Sequence, residues 1–125
     1  MKNAIKALGI GFIIGMITFW FVEYNVRILL GVPLKYYLIV GSAASVFGFT
    51  YFLNKEILKA SFFITHGVLV AQLTRILYDL SKDSHTHNLL PFELFDTLIV
   101  CFLSGLVGGG LTLFLKRPKP NQEQN

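Results

Sequence analysis

The chain has 125 residues, of which 54% are hydrophobic and 14% are charged, and its formal net charge is +4. Soluble domains average about 25% charged residues, so this composition excludes an ordinary soluble domain and predicts a membrane protein. The basic residues lie at the ends of apolar segments and not along one polar face, which excludes a nucleic-acid-binding surface.

Four apolar segments, each bracketed by charged residues, predict four transmembrane helices. A helix of about 20 residues crosses the ~30 Å apolar core of a bilayer. The helices are predicted at roughly residues 4–30, 36–54, 57–80 and 91–115. They form one all-α domain, a four-transmembrane-helix bundle over residues 1–115 with short loops. The polar, proline-containing segment 116–125 is predicted to be a disordered, flexible tail.

The positive charges predict the orientation of the helices in the membrane. Seven of the eleven Lys and Arg residues lie on the side of the N terminus, three lie on the other side, and Arg75 lies inside the third segment. The positive-inside rule therefore predicts that both termini lie in the cytoplasm. We expect the protein to lie in the cell inner membrane. The loops at 23–35 and 79–92 then lie outside.

Small residues at four-residue spacing predict the faces on which the helices pack. In lipid, helices associate by close approach of their backbones, which small side chains permit. These faces serve either contacts within one protomer or a homo-oligomer interface. Trp20 lies opposite the small residues of the first segment and is predicted to face lipid as an interfacial anchor. The predicted packing residues are Gly11, Gly15, Gly41, Ser45, Gly48, Ser104, Gly105, Gly108 and Gly109.

A polar stripe runs along the third segment, and Arg75 lies in it about one turn inside the apolar zone. At 100° per residue, the stripe occupies one narrow arc of the helix. An arginine at this depth is costly unless it is paired or hydrated. We therefore expect Arg75 to pair with a carboxylate, for which Asp79, Glu93, Asp96 and Glu23 are the candidates. The stripe consists of Ser61, Thr65, Gln72, Arg75 and Asp79.

These residues belong to a larger charged cluster predicted at the outer end of the bundle. Three interpretations remain open: a structural clasp in which Arg75 locks the third helix to the fourth, a ligand or ion site, and solvated loop ends. The cluster consists of Glu23, Arg27, Gln72, Arg75, Asp79, Glu93 and Asp96.

His85 and His87 form an H-x-H pair in the loop before the fourth segment. With Asp83 and Glu93 they could supply nitrogen and oxygen ligands to zinc or another divalent metal. Solvated histidines are the alternative, and we expect no bound metal and no cofactor. The single cysteine, Cys101, excludes an intramolecular disulfide.

The sequence favours a non-enzymatic function. It contains no G-x-S-x-G, H-E-x-x-H or glycine-rich phosphate-loop motif. The leading hypothesis is an accessory or assembly protein whose outer cluster holds the bundle or contacts a membrane-protein partner. The alternative is a small oligomeric transporter or channel with a polar path at Gln72, Arg75 and Glu93. A second alternative is a membrane-embedded enzyme that acts on lipid headgroups.

Overall fold

The computed structural model describes residues 1–22, 28–85 and 89–116. Four helices within these ranges are long and apolar enough to cross a membrane, in agreement with the predicted all-α bundle of a membrane protein. The helices are α1 (Lys2–Trp20), α2 (Leu34–Leu53), α3 (Ile57–Lys82) and α4 (Leu90–Leu115). The bounds of α2, α3 and α4 lie within two residues of those predicted.

The first helix ends at Trp20, so its predicted continuation to residue 30 is wrong. Beyond it lies a short antiparallel hairpin of strands β1 (Ile28–Leu29) and β2 (Val32–Pro33). Leu30 and Gly31 form the turn, with φ angles of 51° and 78°. Two consecutive positive φ angles are typical of a type I′ hairpin turn and cannot continue a right-handed helix. This reversal of the backbone brings the chain directly into α2.

Proline and left-handed backbone mark the other helix ends. Pro33, with φ −57°, immediately precedes α2, and Pro91 lies in the first turn of α4. A proline suits these positions because the first N–H groups of a helix have no partner within it. Asn54 ends α2 in the left-handed region, with φ 50°. Left-handed residues commonly follow the last turn of a helix, and here Asn54 permits the short connection to α3.

The most extensive contacts in the bundle are those of α1 with α3 and of α2 with α4, and in both pairs the helices run in the same direction. α3 also packs on α4, which runs in the opposite direction. Gly11 and Gly15 of α1 face Ile64 and Val68 of α3 in turn, so these two helices are parallel. We name the two ends of the bundle by their residues. The Arg75 end is where α1 and α3 end and α2 and α4 begin, and the Lys116 end is opposite.

The α1–α3 interface depends on glycines in both helices. A Cβ atom at Gly11 would overlap the backbone carbonyl of Ile64, and one at Gly15 would overlap the side chain of Ala71. Gly67 of α3, which the small-residue pattern did not predict, lies equally close to the carbonyl oxygen of Leu8. Backbones that approach this closely leave no room for any side chain, so these helices are held by direct backbone contact.

The fourth helix contacts two neighbours through its own glycines. A Cβ at Gly108 would overlap the backbone of Ala43 in α2, and one at Gly109 would overlap the side chain of Ile57 in α3. Gly105 lies against Ser61 of α3. These three glycines therefore let α4 fit between α2 and α3.

The other small residues of the predicted packing faces have looser surroundings. Gly41 faces Ile14, while a Cβ added at Gly48 would meet no atom of the described chain within 4 Å. Gly48 and Ser45 instead line an open groove between α1 and α2. Ser104 is half-buried and donates a hydrogen bond to the carbonyl of Val100, 2.6 Å away.

At the Lys116 end, polar groups join the last turns of α2 and α4. The hydroxyl oxygens of Thr50 and Thr112 lie 2.8 Å apart and share a hydrogen bond. Lys116 donates from Nζ to the side-chain oxygen of Asn54 and to the carbonyl of Thr50, the latter over 3.5 Å. The ammonium group also lies 5.3 Å from the ring centroid of Tyr51.

Candidate functional site

A cavity of about 340 Å³ lies at the Arg75 end, and side chains from all four helices line it. Its apolar wall includes Phe19, Leu38, Ile76 and Val100. Its polar lining consists of Lys35, Gln72, Arg75, Asp79, Glu93, Asp96 and Thr97. Five of these polar residues belong to the charged cluster predicted from the sequence, and the fold brings them around one space.

Arg75 forms an ion pair with Asp79 in the wall of the cavity. The Nε atom donates to the carboxylate over 3.0 Å, and the two side chains are 18% and 10% exposed. The predicted pairing of Arg75 is thereby confirmed, with Asp79 as the partner. Because the residues are four apart on α3, the pair lies within one helix and does not join α3 to α4. The structure therefore differs from the interhelical clasp that the sequence allowed.

Aromatic rings flank the Arg75 guanidinium. Its Cζ atom lies 5.6 Å from the ring centroid of Trp20 and 5.7 Å from that of Tyr78. The two rings lie 5.4 Å apart, and contacts of this kind stabilise a partly desolvated guanidinium. Trp20 is thus half-buried against α3, which the sequence did not predict. Its role as a lipid-facing interfacial anchor stays a prediction. Trp20 is the last residue of α1. Its side chain contacts α3, although its position in the helical repeat is opposite Gly11 and Gly15, which pack on α3.

Lys35 and Asp96 form a second ion pair, at the mouth of the cavity. Their Nζ and Oδ1 atoms are 3.2 Å apart, and the side chains are 57% and 62% exposed. The pair joins the first turn of α2 to the second turn of α4, and these two helices begin at the same end of the bundle. The sequence does not place Lys35 in the predicted cluster. Lysines commonly lie at the ends of transmembrane segments, so a lysine at the start of the second apolar segment indicates no specific partner.

Gln72 and Thr97 are the most deeply buried polar residues of the lining, each 5% exposed. Thr97 donates its hydroxyl to the carbonyl of Glu93 over 3.0 Å. The Oε1 atom of Gln72 is fully buried and accepts no hydrogen bond from any described residue. Such an atom is unusual in a folded protein, where nearly all buried polar atoms have a partner.

Glu93 lies half-buried in the first turn of α4 and faces the cavity. The unpaired N–H groups of a helix start favour a carboxylate at this position. Three carboxylates and two basic groups therefore surround the space. Among the described residues of the lining, the formal charges sum to −1.

Buried hydroxyl groups extend the polar stripe of α3 beyond the cavity, toward the Lys116 end. Ser61 and Thr65 are 0% and 1% exposed, as expected for a stripe that faces the interior of the bundle. Ser42 of α2 is also fully buried. Across residues 1–22, 28–85 and 89–116, the hydroxyls of Ser61 and Thr65 have no hydrogen-bond partner. The hydroxyl of Ser42 lies beside the thiol of Cys101. The interior of the bundle is therefore polar as well as apolar.

The remaining predicted site residues contribute no described geometry to the cavity. Glu23, Arg27 and His87 lie outside the described residues, as does the predicted tail beyond Lys116. His85 is exposed, and its backbone N–H donates to Oδ1 of Asp83 over 3.0 Å. Within the described ranges, no three His, Cys, Asp or Glu residues are close enough to hold one metal ion.

Comparisons with known proteins give no match to the chain among protein-family models, curated proteins or solved structures.

Proposed function

We propose that this protein is a non-enzymatic accessory or assembly protein of the cell inner membrane, and that it binds a polar group of another molecule in the cavity at the Arg75 end. The observation that carries this proposal is the convergence of two ion pairs and a buried amide, from Gln72, on one cavity. Polar groups placed together in an apolar surrounding are costly unless a bound group completes their hydrogen bonds.

The proposed orientation has both termini in the cytoplasm and the Arg75 end outside. The seven-to-three distribution of positive charges supports it. A polar ligand or partner would then reach the cavity from the outer surface, where the Lys35–Asp96 pair borders the mouth.

Site-specific photo-crosslinking in cells tests this function. A photoreactive amino acid at Leu34, in the cavity lining, should give a discrete adduct whose mass identifies the bound molecule. The control is the same amino acid at Val40, which is 65% exposed on the lipid-facing side of the same helix. Absence of an adduct from Leu34, or identical adducts from both positions, would contradict the proposal.

A second candidate function is a small oligomeric transporter or channel. The buried hydroxyls of Ser42, Ser61 and Thr65 favour it, because they extend the polar lining beyond Gln72 toward the other end. Solute uptake by proteoliposomes that falls when Thr65 is replaced by Val would support this function over the first. The matched control is Thr74→Val, since the hydroxyl of Thr74 bonds to its own helix at Ala71.

A further inference from the structure

The buried amide of Gln72 indicates what kind of group the cavity receives. Gln72 is 5% exposed in the cavity lining, and its Oε1 accepts no hydrogen bond from any described residue. An unpaired buried acceptor destabilises a folded protein until some group donates to it. Thr97, which also lines the cavity, uses its hydroxyl proton on the carbonyl of Glu93, so the Thr97 oxygen can only accept from a ligand. Both groups therefore favour a ligand with an N–H or O–H donor.

The charged side chains of the lining already have partners within the protein. Arg75 pairs with Asp79, and Lys35 pairs with Asp96, so these charges cancel in two ion pairs. Glu93 also interacts with another group of the protein. Among the described residues of the lining, no charge is therefore left to balance that of a ligand. An ion without a counter-charge is far more costly to bury than a neutral polar group, so the lining favours an uncharged ligand.

The remaining wall of the cavity is apolar. Its volume of about 340 Å³ is typical of sites for small molecules or for one part of a lipid, which range from about 300 to 1,000 Å³. A ligand that fills this space needs hydrocarbon against the wall and one neutral polar group at the amide. The wall includes Phe19, Leu38, Ile76 and Val100.

We infer that the cavity binds an uncharged hydroxyl group attached to an apolar body, an inference that rests on the proposed binding function of the cavity. A hydroxyl supplies an O–H donor without a charge. Its proton would be donated to Oε1 of Gln72, while the carbon atoms of the ligand contact Leu38 and Ile76. A neutral amide also has an N–H donor, but it would bury a carbonyl that needs a donor of its own. Diacylglycerol lipids and free aliphatic alcohols both carry the hydroxyl.

Fluorescence of Trp20 provides a direct measure of binding. Trp20 is the only tryptophan in the sequence, and its ring centroid lies 5.6 Å from Cζ of Arg75, which lines the cavity. Delipidated protein in detergent is titrated with octanol, with the isomeric heptyl methyl ether and with octylammonium at neutral pH. The ether contains the same atoms but has no O–H donor, and the ammonium has donors and a charge. Concentrations are expressed as mole fractions in the micelle, since all three compounds partition into it.

A second pair of probes distinguishes a lipid from a free alcohol. Dioctanoylglycerol is compared with its O-methyl ether in the same assay. Saturation by the diacylglycerol alone identifies a lipid, saturation by octanol alone identifies a small alcohol, and saturation by both shows recognition of the hydroxyl itself. Each of these results supports the inference if the matching methyl ether binds more weakly.

We expect at least one hydroxyl compound to bind saturably, and its methyl ether to bind roughly tenfold more weakly because the ether leaves Oε1 of Gln72 without a donor. Octylammonium should also bind more weakly, since the lining does not balance its charge. Equal binding of a hydroxyl compound and its ether would overturn the inference. Octylammonium that binds as tightly as the better hydroxyl compound would overturn it in favour of a cationic ligand. The absence of saturable binding by both hydroxyl compounds would overturn it as well.

The variant Gln72→Leu assigns the hydrogen bond to the amide. Leucine keeps the approximate size of the side chain and removes its polar atoms, so the preference for the hydroxyl compound over its ether should disappear. A variant that only disturbed packing would weaken both compounds alike and keep the preference. Thr74→Val is the control, because Thr74 bonds to Ala71 of its own helix and lies outside the described lining. A preference retained in Gln72→Leu would contradict the inference, and the titrations of the unmodified protein decide it if that variant does not fold.

Photo-crosslinking at Leu34 separates this inference from the proposed function. A discrete adduct, together with no binding of the hydroxyl compounds, would make the inference wrong and leave the binding function in place. The absence of both the adduct and the binding would make both wrong.

Discussion

Arg75 donates from Nε to the carboxylate of Asp79 over 3.0 Å, so the deepest positive charge described at this end of the bundle is neutralised within its own helix. The aromatic rings of Trp20 and Tyr78 flank the same guanidinium. α3 can therefore carry an arginine into the apolar zone without depending on a carboxylate from α4. The two carboxylates of α4, those of Glu93 and Asp96, line the cavity.

Replacement of Arg75 by Ala should reduce stability far more than replacement of Lys35 or Lys82. The change leaves the carboxylate of Asp79, whose side chain is 10% exposed, without its guanidinium partner. Removing one member of a buried ion pair costs about 3–5 kcal/mol in soluble proteins. Lys35 is 57% exposed, and exposed pairs contribute only about 0–1 kcal/mol. Thermal unfolding in detergent measures the difference.

The double variant Arg75→Ala, Asp79→Ala isolates the contribution of the pair. Because it removes both charges, it should destabilise the protein less than the sum of the two single changes. A strictly additive result would show that the pair does not interact in the folded protein.

Gly67→Ala should destabilise the bundle, whereas Gly110→Ala should not. A Cβ at position 67 would overlap the carbonyl oxygen of Leu8, so α1 and α3 would have to separate. At Gly110 the added atom meets nothing within 4 Å in the described structure. An alanine in a helix interior is otherwise favoured over glycine by about 1 kcal/mol. Unfolding in detergent should therefore show shifts of opposite sign, and equal shifts would contradict the close approach of the two backbones.

The features predicted from the sequence are those that depend on one helix at a time. Arg75 and Gln72 are conspicuous in the sequence because a polar group inside an apolar segment must be paired or hydrated. The sequence does not predict the roles of Lys35 and Gly67, because each role depends on which helix lies opposite. The parallel packing of α2 on α4 brings Lys35 to Asp96, and periodicity within one segment carries no information about that neighbour.

The first helix illustrates a second limit of sequence reasoning. The spacing of Glu23 and Arg27 is compatible with a continued helix, and no proline interrupts the segment before residue 33. The positive φ angles at Leu30 and Gly31 instead reverse the chain. Of these two residues only glycine adopts such angles readily. The sequence therefore contains a typical turn residue at position 31 but not at position 30.

Cysteine labelling should show that the two ends of the bundle lie on opposite sides of the membrane, with the Arg75 end outside. In a Cys101→Ala background, a cysteine at Ser84 should react with an impermeant thiol reagent added to intact cells. A cysteine at Gln122, in the tail beyond the described residues, should react only after the membrane is permeabilised. The expectation rests on the distribution of positive charges. Labelling at position 122 and not at 84 in intact cells would reverse the orientation.

Lys116→Met should loosen the end of α2, although Lys116 belongs to the segment after α4. The last carbonyl groups of a helix have no partner within it and carry a partial negative charge. The Nζ of Lys116 reaches the carbonyl of Thr50 and the side chain of Asn54, and so satisfies groups at this end. Methionine keeps a similar unbranched side chain and removes the charge and the donors, at an expected cost of about 1.5–3 kcal/mol for charged hydrogen bonds, less where solvent reaches them. Hydrogen exchange should accelerate in the last turn of α2. Lys59→Met is the control, since Lys59 pairs only with the exposed Glu56 among described residues, and equal effects of the two changes would show that Lys116 does not stabilise α2.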